Sequence, residues 1–284
     1  MFSYLITAAE LQQEHRSDWL VFDVRHDLMN PQAGRNAYLQ GHIPGARFLD
    51  NDSDLVGKLT GKNGRHPLPE RTKFADLMRK QGLESQTQVV VYDAGNSMFA
   101  ARLWWMLRWL GHEKVAILDG GWQAWLAENG KVETDVSQAG PVPSQWLESA
   151  TPDMPTVQAT EVLANIEQPH FVVVDARAGE RFRGEVEPID PVAGHIPGAL
   201  NRPNSSNLQA DGRFKPVLAL RAEFASLLGG RPADQVVHQC GSGITACHNL
   251  FAMELAGMNG SKLYPGSWSE WVSDSSRPVA VGEA

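Results

Sequence analysis

The hexapeptide Gly-His-Ile-Pro-Gly-Ala occurs twice in the 284-residue chain, at Gly41–Ala46 and at Gly194–Ala199. Its surroundings recur with it in the same order. Val21-Phe22-Asp23-Val24-Arg25 answers Val173-Val174-Asp175-Ala176-Arg177 upstream, and the helical pattern Phe74-Ala75-x-Leu77 answers Phe224-Ala225-x-Leu227 downstream. Further on, Asp119-Gly120-Gly121-Trp122-x-x-Trp125 answers Tyr264-Pro265-Gly266-Ser267-Trp268-x-x-Trp271. An ordered series of matches across the chain requires two copies of one folding unit. The expected division is residues 1–138, a linker at 139–156, and residues 157–284, two modules of ordinary domain size. Pro141, Pro143, Pro152 and Pro155 mark the linker, because proline neither continues a helix nor pairs within a central strand.

Inside each module, short β-branched runs alternate with helical periods. Strands are expected at Trp19–Val24, Val89–Tyr92 and Val115–Leu118, and again at Phe171–Val174, Gln235–His238 and Lys262–Tyr264. The first helix, near Thr7–Glu14, opens on Thr7-Ala8-Ala9-Glu10, the spacing of a capping box. Strands separated by helices imply a parallel sheet covered on both faces, and in such folds function gathers at the carboxyl ends of strands.

A formal net charge of −8 lacks the basic face that nucleic acid needs. The most apolar stretch, Met98–Leu110, is broken by Arg102 and Arg108 and is too short to cross a bilayer. Two cysteines, Cys240 and Cys247, make no disulfide framework. With an opening stretch that has neither a basic n-region nor a long apolar run, they point to a reducing, cytoplasmic setting.

Cys240 follows an expected strand and begins Cys240-Gly241-Ser242-Gly243-Ile244-Thr245-Ala246, after which an apolar helical pattern runs to Leu255. Two glycines let consecutive N–H groups turn inward as an anion-binding nest, and the helix adds the positive end of its dipole. Both favour a thiolate over a thiol, and Ser242 and Thr245 can add hydroxyl donors. The first module presents Asp93-Ala94-Gly95-Asn96-Ser97-Met98 at the matching place, without a thiol. Cys247 falls inside the following helix, opposite Ala100 of the first copy, and reads as a packing residue. Trp104, Trp105, Trp109 and Trp268 read as core aromatics, the last also as a wall of the site.

The paired turns, the Cys-Gly-Ser-Gly-Ile-Thr loop and the terminal Gly-Ser-Trp together resemble the tandem-domain rhodanese-type sulfurtransferases over nearly the whole chain. The resemblance implies an α/β fold of two rhodanese-like domains, each a parallel, mostly five-stranded sheet with helices on both faces. It also implies a catalytically silent first domain and a second domain whose Cys240 carries sulfur as a persulfide. A loop without internal cations is similar to that of the mercaptopyruvate sulfurtransferases. The resemblance therefore implies donor binding by the loop, from Gly241 and Gly243 through Ile244, Thr245 and Ala246, and by Arg181, with proton transfer through Ser242. His42 and His195 are expected to brace their own turns, and His42 is a candidate relay to Ser242. The family's second arginine is missing, since Glu185-Val186-Glu187-Pro188-Ile189-Asp190 has Ile189 in that region. Arg183 and Arg202 are the nearby candidates to replace it. No cofactor is implied. The expected partners are a small-molecule sulfur donor and a thiol acceptor such as a thioredoxin-like protein, with thiosulfate as the alternative donor.

A cysteine phosphatase would need an arginine where Ala246 stands. No pair of histidines or cysteines has zinc-site spacing, so no metal is expected. A persulfide carrier serving only a partner protein stays open, and turnover of free mercaptopyruvate would separate it from an enzyme.

Overall fold

The computed structural model describes residues 1–136, 144–149 and 154–283. It divides into two compact units. One comprises Met1–Val56, Pro69–Asp153 and Ala210–Arg213, and the other Gly57–Leu68, Met154–Gln209 and Phe214–Ala284. Half of the expected linker, 139–156, lies outside the described residues. Among the described residues no helix is long and apolar enough to cross a membrane.

In the first unit the chain runs β1 (Leu5–Ile6), α1 (Ala8–Glu14), β2 (Leu20–Asp23), α2 (Ala33–Gln40), β3 (Arg47–Phe48), α3 (Arg71–Lys80), β4 (Val89–Tyr92), α4 (Met98–Trp109), β5 (Val115–Leu118) and α5 (Gly121–Ala127). Helix α1 begins as expected: Thr7 accepts the Glu10 N–H while the Glu10 carboxylate accepts the Thr7 N–H. The strands form a parallel sheet in the order β1-β5-β4-β2-β3. Every residue of β2, β4 and β5 is buried, which is why these strands read as unbroken apolar runs instead of alternating ones. Trp104 and Trp105 of α4 are fully buried.

The second unit repeats this plan with α6 (Ala159–Glu167), β6 (Val172–Asp175), α7 (Gly179–Phe182), β7 (Leu200–Asn201), α8 (Val217–Leu228), β8 (Val236–Gln239), α9 (Ile244–Leu255), β9 (Lys262–Leu263) and α10 (Ser267–Trp271). Its sheet, in the order β7-β6-β8-β9, is again parallel. A fifth strand, the counterpart of β1, is reduced to a single parallel bridge between Thr156 and Leu263. The core joins Val162, Val173, Val237, Ile196 and Phe182 with Tyr264, Trp268 and Trp271.

The repeated motifs hold one another. In each copy the aspartate ending the first long strand grips the arginine two residues on: Asp23 holds Arg25, and Asp175 holds Arg177. Each guanidinium then donates to the first carbonyl of the hexapeptide, Gly41 or Gly194, at 2.7 Å in both copies. Each also stacks 4.7 Å over a tryptophan, Trp122 or Trp268. The histidines brace their turns, with Nδ1 of His42 bonded to the Tyr38 carbonyl and that of His195 to the Phe182 carbonyl. Gly45 and Gly198 take φ near +75° and +77°, the third position of a Pro-Gly turn that other residues enter only with strain.

Candidate active site

Strand β8 delivers Cys240 to the carboxyl edge of the second sheet, where it is 2 % exposed. The backbone around it is pinned by α10. The Cys240 N–H donates to the Ser267 hydroxyl, while the Cys240 and Gly241 carbonyls accept the N–H groups of Trp268 and Ser269. The sulfur accepts the Gly243 N–H at 3.1 Å. Gly243 makes that turn at φ +83°, and a Cβ there would lie 2.4 Å from the Pro265 carbonyl oxygen, so only glycine fits. Helix α9 starts at the next residue, Ile244, with Thr245 half-buried and Ala246 buried in its first turn.

The first unit shows the same loop with a different occupant. Asp93 stands in the place of Cys240 after β4, and its carboxylate accepts the N–H groups of Gly95, Ser97, Phe99 and Ala100 at 3.0 to 3.3 Å. Complete burial pushes the Asp93 pKa up, and those four donors oppose the shift. The loop is one residue longer than its counterpart. Ser97 takes the left-handed turn that Gly243 takes, and helix α4 begins at Met98 where α9 begins at Ile244. The correspondence inferred for Cys247 therefore shifts by one, from Ala100 to Ala101. Cys247 is fully buried and its thiol donates to the Gly243 carbonyl, a packing position.

Ser242 Oγ lies 2.7 Å from Nδ1 of His66, a residue of the Gly57–Leu68 segment that belongs to this second unit. The expected relay histidine, His42, is instead fully buried in the first unit. It stacks on Tyr38, with its Nε2 3.9 Å from a Glu133 oxygen. The histidine beside Ser242 within the second unit is His66, a residue the sequence did not single out. Sequence reading missed His66 because its surroundings have no periodicity. A signal was nevertheless present: Gly64-Arg65 before His66-Pro67 parallels Gly212-Arg213 before Phe214-Lys215-Pro216, and both glycines take φ near +80°.

Arg181, on α7, lies beside the loop. A Cβ built on Gly241 would sit 3.7 and 3.8 Å from its two terminal nitrogens and 3.0 Å from Nη2 of Arg65. Arg181 is gripped through Nε and Nη2 by Glu187, and Asp190 is 3.4 Å from Nη2. Glu187 also accepts from Arg177 at 3.3 Å and from the Ile189 and Asp190 N–H groups. Burial opposes ionisation of Glu187, yet the Arg181 hydrogen bond and these backbone donors win and hold its pKa below the usual glutamate range. Burial pushes Asp190 upward against the pull of Arg65 and Arg181. Arg177 is desolvated, but the negative charges of Asp175 and Glu187 keep its pKa raised. The two arginines expected to replace the missing cation are engaged elsewhere. Arg183 pairs with Glu185, while Arg202 pairs with Asn207 and Glu223 and lies over Phe224. Among the described residues no cluster of histidine, cysteine and carboxylate side chains could hold a metal ion.

Duplicate α/β units, one of them seating a buried cysteine on a loop amide where a parallel strand feeds a helix, define a class of tandem-domain protein. A model of the Rhodanese-like domain matches residues 7–128 and 158–274, and the chain belongs to that family. Among its relatives, a Pseudomonas aeruginosa protein bearing the name "Probable 3-mercaptopyruvate sulfurtransferase" is 47% identical over 282 residues, covering 98% of both chains. The Mycobacterium tuberculosis protein SseB, named for thiosulfate instead, is 42% identical and covers 99% of this chain and 98% of its own. The solved structure of SseA from Escherichia coli, a 3-mercaptopyruvate sulfotransferase, superposes with a TM-score of 0.80 at 32% identity, covering 94% of this chain and 99% of that one.

Proposed function

We propose that this sulfurtransferase takes its sulfur from mercaptopyruvate and holds it on Cys240. The observation that carries this reading is the 2.7 Å contact between Ser242 and His66, two residues from Cys240, in a loop whose Gly241 lies beside Arg181. Sulfur leaving a 2-oxo acid leaves a carbanion equivalent behind, so such a donor calls for a proton source as well as a cation for its carboxylate. In the first half-reaction the Cys240 sulfur attacks the donor's sulfur. The carbon–sulfur bond breaks and its electrons pass to carbon as the pyruvate enolate. Ser242, drawing on His66, supplies the proton. The persulfide left on Cys240 lies against the Gly243 N–H, a preorganised donor for its charge. An acceptor thiolate then attacks the outer sulfur and carries it away, regenerating Cys240 with no net change in the enzyme's oxidation state. The Gly241–Ala246 backbone and Arg181 bind the donor in this scheme, and no step requires a cofactor.

The first unit is silent in this reading because Asp93 fills its loop. A thioredoxin-like protein or a small thiol is the proposed acceptor. A cytoplasmic location belongs to this reading, since two cysteines seven residues apart make no disulfide framework. Thiosulfate is the second donor considered, since guanidinium groups beside Gly241 also suit a dianion. Steady-state kinetics with the two donors side by side test the choice: kcat/KM should favour mercaptopyruvate by at least about tenfold, and a ratio near unity overturns it. Cys240→Ser should abolish transfer and the added sulfur seen by mass spectrometry, whereas Cys247→Ser should keep both. Activity retained in Cys240→Ser refutes the assignment of the nucleophile.

A further inference from the structure

The charges behind Cys240 form an alternating chain. Asp175 binds Arg177, Arg177 reaches Glu187, Glu187 grips Arg181, Arg181 reaches Asp190, and Asp190 binds Arg65. Three arginines face three carboxylates, so a bound anionic donor meets no net surplus of positive charge unless one guanidinium is under-used. Arg177 is spent inside the fold: its side chain is 1% exposed and is shared among Asp175, Glu187 and the Gly194 carbonyl. Arg181 is doubly held by Glu187. Arg65 differs from both. Its side chain is 33% exposed, it engages Asp190 through Nη1, and its Nη2 is the nitrogen nearest to the Cβ position of Gly241.

The backbone presents Arg65 in this way by construction. Its N–H donates to the Ser269 hydroxyl at 3.1 Å, and Gly64 before it turns at φ +80° with the Gly266 carbonyl 2.6 Å from where a Cβ would be. Both contacts fasten the segment to α10, the same helix whose N-terminal amides hold the Cys240 and Gly241 carbonyls. The loop and Arg65 are therefore referenced to one rigid element. Meanwhile position 189, between the two clasping carboxylates, is an isoleucine with 43% of its surface exposed and no charge to offer.

We propose that Arg65 is a specificity-determining residue that binds the donor's carboxylate together with Arg181, as the second guanidinium of the site. This rests on a carboxylate donor being the one used. A planar carboxylate accepts two guanidinium donors more favourably than one, and a charge-assisted hydrogen bond of this kind is worth roughly ten- to a hundredfold in binding.

The test compares wild type with Arg65→Ala and Arg65→Lys, using two probes of Cys240. The first is steady-state turnover of mercaptopyruvate. Arg65→Ala should raise KM about ten- to a hundredfold while kcat stays within about threefold, and Arg65→Lys should fall between. The second is the rate at which neutral methyl methanethiosulfonate labels Cys240, which should be unchanged in both variants because that reagent carries no carboxylate. An unchanged KM overturns the proposal. So does a parallel loss of labelling rate, which would show that Arg65 merely supports the loop. Failure of the wild type to turn over mercaptopyruvate would instead sink the donor assignment, a result read before any variant is made.

Discussion

Asp93 and Cys240 occupy the same point in the two copies of the fold, one residue past strands β4 and β8, Asp93 accepting four N–H groups from the loop that follows and Cys240 the Gly243 N–H. In the first copy the chain closes this nest with its own carboxylate. In the second the acceptor is a sulfur atom, the one proposed above to be loaded and unloaded. The repeat thus sets two different acceptors, a carboxylate and a sulfur, into one N–H-lined loop.

Asp93 is accordingly structural. Asp93→Ala would leave four N–H groups, three of them buried, without their acceptor, and it should destabilise the first unit by on the order of 3 kcal/mol. Asp93→Asn, which keeps one acceptor oxygen, should cost less. Urea unfolding followed by tryptophan fluorescence reads both, while sulfur transfer per folded molecule should stay at the wild-type level. Activity lost in the still-folded asparagine variant would give Asp93 a role in the chemistry instead.

The contact between Ser242 and His66 separates two donors by their leaving groups. Mercaptopyruvate departs as an enolate that must be protonated, whereas thiosulfate departs as sulfite, a stable anion. Ser242→Ala and His66→Gln should each lower kcat with mercaptopyruvate by about a hundredfold, the usual weight of a positioned acid. Transfer from thiosulfate to cyanide should change only within a few-fold. Equal losses with both donors would show that the pair holds the loop in shape and moves no proton.

Much of this was legible in the residues alone. The five four-residue strands lie within about a residue of their expected bounds, as does the shorter β9, because buried parallel strands announce themselves as β-branched runs. Cys240 stood out because its strand, its glycines and the helix after it are contiguous. What stayed hidden was assembled from separate parts of the chain. His66 and Arg65 sit in a polar segment with no helical or strand period, and only the fold brings them to Ser242 and Asp190. The two-residue strands β3 and β7 were too short to show any period at all. The extra residue before α4, which moves the partner of Cys247 to Ala101, is invisible until the left-handed turns at Ser97 and Gly243 are matched.

A final prediction concerns acid. His238, two residues before Cys240 on β8, is fully buried with Nε2 3.1 Å from the Met253 sulfur. Burial, with some help from the charge of Arg202, drives its pKa from 6.5 down to about 3. His112, mainly through burial, falls to about 4. Both imidazoles are therefore neutral in the folded protein well below the pH at which they take a proton in the unfolded chain. Between 6.5 and these values the unfolded state binds more protons, so stability is fully present above pH 6.5 and is lost as pH falls, by about 1.4 kcal/mol per unit for each such histidine. His238→Leu removes one of these linkages while keeping a residue that can fill the space. Whatever the substitution does to stability near neutrality, the variant should lose less than wild type between roughly pH 7 and pH 5, the deficit approaching 2 kcal/mol. Urea midpoints and slopes at the two pH values provide the comparison. Identical losses in the two proteins would mean that His238 takes up its proton in the folded state as readily as in the unfolded chain, and that the strand beneath the cysteine is open to water.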